Sequence, residues 1–246
     1  MILLSIRQSL PAGLRRIYSF NQYERDRWVA TQAAKIPAGS RVLDVGAGSS
    51  PYRSLFTHCE YKTHDFAKLA PNQLLGQGGY GVIDYVSDIL SIPIPEASFD
   101  VTLCTEVLEH VPEPIRAIRE LARILKPGGK LLLTAPLGSG LHQEPYHFYG
   151  GYTPHWYNKF LAEAGFEEIV IEPNGGFFKH YGQESWRLAS LLAPWRGKGQ
   201  LIWLPLWILS LPWFVLLCPL LGYILDYLDN EKAFTVGYHV TAVRCG

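Results

Sequence analysis

The chain carries no excess of charge of either sign: 22 lysines and arginines balance 22 aspartates and glutamates. No general positive field draws it onto nucleic-acid phosphates, so a small-molecule or lipid substrate fits better. Cysteine is scarce. Cys59, Cys104, Cys218 and Cys245 lie far apart, without paired zinc spacing or a dense disulfide framework, and a reducing cytoplasm is the simplest home. An export signal is lacking: the apolar stretch Met1 to Leu4 breaks at Arg7 and Pro11, with no basic-then-apolar order and no small-residue cleavage site. Neither internal repeats nor low-complexity tracts occur, which excludes solenoids and linkers. What the chain does have is apolar bulk. With 48% hydrophobic residues in 246, it can bury one substantial core, which argues against disorder.

Residues 21–36 are helix formers without internal Gly or Pro, ended by Pro37, Gly39 and Ser40. Apolar β-type runs then alternate with helical segments: RVLDVG, a helix from Pro51, YKTHDF, IDYVSDI, FDVTLC, a helix at about 114–125, and KLLLTAP. Such alternation predicts a mostly parallel sheet with crossover helices. A helix near 154–165, the run EEIVIEPNG and a closing run FTVGYHVTAVR complete an α/β pattern whose last strand is antiparallel. Before that last strand lies a C-terminal apolar helical insertion. The expected division is 1–178 with 232–246 as the sheet domain and 179–231 as the insertion.

The segment Val42-Leu43-Asp44-Val45-Gly46-Ala47-Gly48-Ser49-Ser50-Pro51 reads as a buried strand entering a glycine-rich turn that opens a helix. Glycines at 46 and 48 let the backbone bend tightly and let a ligand approach it. Glycine turns also occur merely to pack a strand on a helix. A dinucleotide site wants a third glycine at 51, where a helix N-terminus meets the pyrophosphate. Pro51 offers no N–H to a phosphate, which argues against NAD and for a ligand without a diphosphate.

Hydrophobic-x-Asp-x-Gly-x-Gly resembles the first motif of class I S-adenosylmethionine-dependent methyltransferases. SFDVTLCTEVLEHVPEP followed by LKPGGKLLLTAP resembles the later motifs of their type-11 group, the similarity covering roughly residues 22–174. The resemblance implies a Rossmann-like methyltransferase sheet, an enzyme, and S-adenosyl-L-methionine as cofactor. It places Asp44 and the backbone of Gly46, Ala47 and Gly48 around the methionine part. It sets Asp65, beside Phe66, on the ribose diol, and Asp88 on the adenine amino group, with Ile89 and Leu90 as backbone and apolar wall. Both carboxylates also read as surface or capping residues. Thr105 and Glu106 would face the sulfonium side, and Cys104 packs the strand.

If residues 106–110 form a helical turn, Glu106, Glu109 and His110 share one face. Similar clusters hold a divalent metal in ubiquinone-pathway O-methyltransferases. The same letters are widespread in type-11 enzymes without metal, so the expectation is no metal. The loop LGSGLHQEPYHFYGGY, at 137–152, gathers His142, Glu144, Tyr146, His147, Tyr149 and Tyr152 at the substrate-facing edge. A histidine near pKa 6.5 can take a hydroxyl proton, which makes His142 or His147 the candidate base for O-methylation. Both histidines also read as turn caps, and the tyrosines as pocket lining or loop pins.

The run at 201–225 contains no charged side chain, and as one helix it would reach roughly 37 Å, enough to cross a bilayer core. A single crossing would part the final strand from its sheet. Pro205, Pro212 and Pro219 favour broken helices, while Trp203, Trp207, Trp213 and Tyr223 favour a membrane interface. Arg187, Arg196 and Lys198 precede the run, and Asp226, Asp229 and Glu231 follow it. An internal lid or an oligomer interface is the alternative. The expectation is methyl transfer to a small or lipid-linked acceptor, at oxygen, in the cytoplasm with peripheral contact to the inner membrane face. A soluble sugar or secondary-metabolite methyltransferase, and a silent cofactor-binding scaffold that recruits a partner, are the competing readings.

Overall fold

The computed structural model describes residues 11–74, 79–196 and 200–246. Met1 to Leu4, Arg7 and Lys198, all invoked above, lie outside the described residues, as does the side chain of Arg196. Two helices, α1 (Ala12–Tyr18) and α2 (Phe20–Ala33), lead into β1 (Arg41–Val45). There follow β2 (Glu60–Asp65), β3 (Tyr85–Val86), β4 (Phe99–Thr105), α3 (Pro114–Ile124) and β5 (Leu125–Pro136). Then come α4 (Pro154–Glu163), β6 (Phe166–Pro173), α5 (Phe177–Leu191), α6 (Leu204–Leu211), a π-helical turn (Pro212–Leu217), α7 (Cys218–Leu225) and β7 (Gly237–Arg244).

The seven strands form one sheet in the order β3-β2-β1-β4-β5-β7-β6. β1 pairs parallel with β2 and β4, β2 with β3, and β4 with β5, while β7 runs antiparallel to β5. This is the Rossmann-like sheet expected, with the apolar helical insertion lying before its last strand. Central strands are apolar on both faces because helices and loops cover both sides. Leu43, Val45, Leu131 and Leu133 join Ile118, Leu121 and Tyr157 in one core cluster, while Val42, Val101 and Leu132 meet Trp28, Val29 and Phe56 in the other. α3 starts with Pro114 at its first turn and buries Ala117, Ile118, Leu121, Ala122 and Ile124. Its polar edge holds the preceding loop: Glu120 accepts from the Ile92 N–H, and Arg123 donates to the carbonyls of Ile92 and Ile94.

Two expected elements are shorter than the sequence suggests. The helix from Pro51 is a 3-10 turn, Arg53–Phe56. Tyr52 and Phe56 bury themselves within one turn, and the chain re-enters the sheet at Glu60 before a full helix is built. The third strand is reduced to Tyr85–Val86, so Asp88 lies beyond its end rather than closing it.

By compactness the chain divides into Arg27–Glu172 with Gly237–Gly246, which hold most of the sheet, and the described residues up to Asp26 with Pro173–Val236. Within the latter unit α5 and the α6–α7 run pair antiparallel. Gly222 abuts the Phe178 carbonyl, Gly182 abuts Cys218 and Pro219, and Trp207 reaches Ala189. The three prolines do not end the run; each changes its hydrogen bonding, with the wide turn opening at Pro212.

Candidate functional site

At the carboxyl ends of β1 and β2 the backbone makes a tight cradle. Gly46 and Gly48 have φ of 76° and 52°, and a Cβ on Gly46 would overlap a Val107 methyl. The N–H groups of Gly46 and Ala47 both reach the His64 carbonyl, at 2.8 and 3.0 Å, which ties the turn to β2. Asp65, 4% exposed, closes it from beneath: one carboxylate oxygen accepts from Gly48 N–H at 2.9 Å and the other from Ala67 N–H at 2.8 Å. The Tyr80 hydroxyl bonds the same carboxylate, which keeps acceptor capacity beyond these three contacts. The Ser50 hydroxyl is buried in the same turn without a partner among the described residues. Leu74 approaches Gly48, and Gly81 N–H bonds the Gly48 carbonyl.

Asp44 is 1% exposed. Burial pushes its carboxyl up to about 7; the Tyr61 hydroxyl, which donates to Asp44 Oδ2, and Arg53 oppose that shift, and the charge of Asp65 adds to it. Asp88 is exposed, and its Oδ1 accepts from Leu90 N–H at 2.9 Å, so it caps its own loop. Ile89 is buried and Leu90 packs partly on the core. Thr105 ends β4.

Glu106 does not sit in a helical turn with Glu109 and His110. Its φ is 53°, the 3-10 turn starts only at Leu108, and Glu106 Oε1 accepts from the Thr134 hydroxyl at 2.8 Å. The group that does come together is Glu109, His110 and His142, each offering one ligand atom within 4.8 Å of the others. His147 completes the cluster, its ring centroid 4.6 Å from that of His142 and 5.7 Å from that of His110. Two contacts orient these rings: His110 Nδ1 lies 2.5 Å from the Tyr146 carbonyl and His142 Nδ1 lies 2.9 Å from that of Gly140. A carbonyl can only accept, so each Nδ1 carries the proton and each Nε2 keeps its lone pair. Burial, with the neighbouring histidines, lowers His110 to about 4, although the Tyr146 carbonyl opposes the shift. Burial and His142 lower His147 as well.

The 137–152 loop is pinned onto the 108–112 segment. Tyr152 donates to the Leu108 carbonyl, Tyr149 to that of Pro112, and the N–H groups of Phe148 and Tyr149 to that of Glu109. These tyrosines therefore serve as loop pins. The loop also meets the segment after β2: the Phe66 and Tyr146 rings pack edge to face at 5.1 Å, and Gln73 and Gln143 each donate to the other segment's backbone. Cys104 is fully buried strand packing. Tyr61, Ser50, Gln73 and Ser139, whose hydroxyl lies 3.0 Å from His147 Nε2, were not singled out by sequence. No periodicity marks such residues, because their importance arises only when separate loops meet.

A parallel sheet with a glycine turn after β1, an acidic residue ending β2, another beyond β3 and an antiparallel last strand defines a Rossmann-like fold class. Residues 43–133 match the family described as a methyltransferase domain. The chain is 40% identical over 106 residues to a ubiquinone biosynthesis O-methyltransferase of Xanthomonas axonopodis pv. citri, a match spanning 40% of this chain and 44% of that protein. It is 30% identical over 114 residues to the ubiquinone/menaquinone biosynthesis C-methyltransferase UbiE of Pseudomonas fluorescens, spanning 42% and 44%. The chain thus matches less than half the length of these curated relatives. The fold is shared with phosphoethanolamine N-methyltransferase 2 of Haemonchus contortus, solved with S-adenosyl-L-methionine, at a TM-score of 0.54 and 15% identity, covering 96% of this chain and 58% of that one.

Proposed function

We propose that the protein transfers a methyl group from S-adenosyl-L-methionine to a hydroxyl of a small or lipid-linked acceptor. The observation that carries this reading is Asp65, buried, bridging Gly48 and Ala67 and bonded by Tyr80, with acceptor capacity left for a ribose hydroxyl. The unpartnered Ser50 hydroxyl and the glycine cradle fit such a ligand too. Asp44 and the Gly46–Ala47–Gly48 backbone would take the methionine part, Asp88, Ile89 and Leu90 the adenine, and Phe66, Thr105 and Glu106 the surrounding wall. When bound, the cofactor supplies a methyl carbon activated by a sulfonium.

The protein's work is then alignment, exclusion of water and removal of one proton. The Phe66–Tyr146 contact sets the acceptor loop beside the cradle. The Nε2 of His142, with its Nδ1 tied to Gly140, would hold the proton released from the acceptor hydroxyl; His147 is the alternative base. Four free cysteines support a reducing, cytoplasmic setting.

The O-, C- and N-methyltransferase names among the similar proteins leave the acceptor atom to experiment. Purified protein with methyl-labelled cofactor and cell extract should yield labelled product, and Asp65→Ala should bind the cofactor at least tenfold more weakly in calorimetry while staying folded. Unchanged affinity would remove Asp65 from the site. Protein-dependent label found by mass spectrometry in C-methyl or N-methyl products alone would overturn the oxygen acceptor.

A second reading is favoured by one observation, the convergence of Glu109, His110 and His142. Two imidazoles and a carboxylate form a donor set suited to zinc or manganese, and such an ion would acidify an acceptor hydroxyl. Calorimetric titration with zinc should show one site that His142→Ala removes; heat from neither ion would exclude this reading.

A further inference from the structure

The unit built from α1, α5, α6 and α7 exposes apolar side chains to an extent that methyl transfer does not require. Leu201–Leu228 is long and apolar enough to cross a bilayer by length and composition, yet only 17% of its most apolar stretch is buried. Ile202 and Leu209 are 79% and 74% exposed. Exposed Leu204, Leu206, Ile208 and Leu209 fall on several faces of one turn and a half, whereas a lid or partner helix would need a single stripe. We propose that this unit docks into one leaflet of an anionic phospholipid bilayer, with α6 among the acyl chains.

Several polar groups that face the paired helices are satisfied within the hairpin, as a water-poor surrounding demands. Pro219 has no N–H for the Val215 carbonyl, and Trp186 Nε1 donates to that carbonyl at 2.8 Å. The Cys218 N–H bonds Trp213 in the wide π turn, which releases the Phe214 carbonyl, and the Ser185 hydroxyl takes it at 2.7 Å. Trp207 Nε1, Ser190 and Ser210 bond to helix carbonyls as well.

Charge is sorted along the hairpin. From Ser185 to Leu225 the sequence holds Arg187, Arg196 and Lys198 and no acidic residue; Arg187 pairs with Glu184 at 3.0 Å, and its exposed guanidinium stays open to an anionic headgroup layer. Two further acids lie at the other end, where Asp226 accepts from the N–H groups of Gly176 and Lys179, and Asp229 accepts from that of Phe177. Near the tip, Trp195 and Trp203 are exposed, as interfacial tryptophans are. An apolar groove of ≈ 460 Å³, lined by Leu191, Leu192, Trp203, Leu206, Trp207 and Phe214, is open to an acyl chain. Since β6 and β7 are neighbours in one sheet, the insertion leaves and returns on one side of the bilayer.

The test uses the full chain without cofactor or acceptor, so its failure leaves methyl transfer standing. The protein should float with vesicles of equal parts phosphatidylcholine and phosphatidylglycerol, less with phosphatidylcholine alone, and its tryptophan emission should shift to the blue. Ile202→Asp with Leu209→Asp, both at positions that add little packing, should cut vesicle affinity on the order of a hundredfold. Arg187→Gln should cut it about fivefold, only on anionic vesicles. Absence from the floating fraction would overturn the proposal, as would a dimer in solution that the Asp substitutions dissolve while vesicles stay unbound. Resistance to alkaline carbonate extraction would overturn the one-leaflet placement.

Discussion

The buried carboxyl of Asp44 makes stability depend on pH in a calculable way. Its folded-state pKa of about 7 lies above the ordinary 3.8, because burial penalises the charged form. Protonated Asp44 carries no such cost, so its contribution is fully present below pH 4 and is lost as pH rises through 7. The shift corresponds to about 4 kcal/mol above pH 7, accumulating at roughly 1.4 kcal/mol per pH unit between pH 4 and 7. Asp44→Asn imitates the neutral form and keeps an oxygen for the Tyr61 hydroxyl. The variant should therefore match the wild type near pH 4 and exceed it by about 4 kcal/mol at pH 8. Urea denaturation followed by tryptophan fluorescence at pH 5, 6, 7 and 8 measures the difference. A gap that stays constant across this range would refute the assignment of the cost to a buried charge. The same variant should bind S-adenosyl-L-methionine more weakly, since it loses a negative charge beside the proposed cationic ligand.

Two further substitutions probe the scaffold. Gly46→Ala forces a side chain into the left-handed region and onto Val107, and should lower stability by about 2–4 kcal/mol in the same denaturation assay. Asp226→Ala strips the N–H groups of Gly176 and Lys179 of their acceptor and should cost about 2–3 kcal/mol. Faster proteolysis within 173–236 than elsewhere should accompany that loss.

Much of the fold is legible because its signals are local. The run from Val42 to Gly48 announces a buried strand and a tight turn by composition alone, and the uncharged 201–225 run announces helices unlike those of a soluble core. The failures are tertiary. Pro51 suggests a helix start, but burial of Tyr52 and Phe56 closes the chain into a 3-10 turn instead. Glu106, Glu109 and His110 share helical spacing, but the left-handed turn at Glu106 sends its carboxylate to Thr134. His142 replaces it beside His110 because the tyrosine pins fold the later loop back, an event that no spacing within either segment records.

Of the seven non-glycine residues with positive φ among the described residues, four lie where the site is proposed, while Ala97, Glu168 and Lys232 lie elsewhere. Ser50, Ala67, Glu106 and Gln143 have φ between 51° and 56°, a region that costs a residue with a side chain on the order of 1–2 kcal/mol. They fall one each in the loops after β1, β2, β4 and β5, all carboxyl-end loops of parallel strands. Each turns the chain at a binding element: Ser50 ends the glycine cradle, Ala67 returns its N–H to Asp65, Glu106 leaves β4, and Gln143 directs an amide to Gln73. A core relaxed for stability alone would have no reason to place strained residues and a buried carboxylate along one edge of its sheet. The surrounding packing holds them there, and the economical physical explanation is a ligand gripped at that edge.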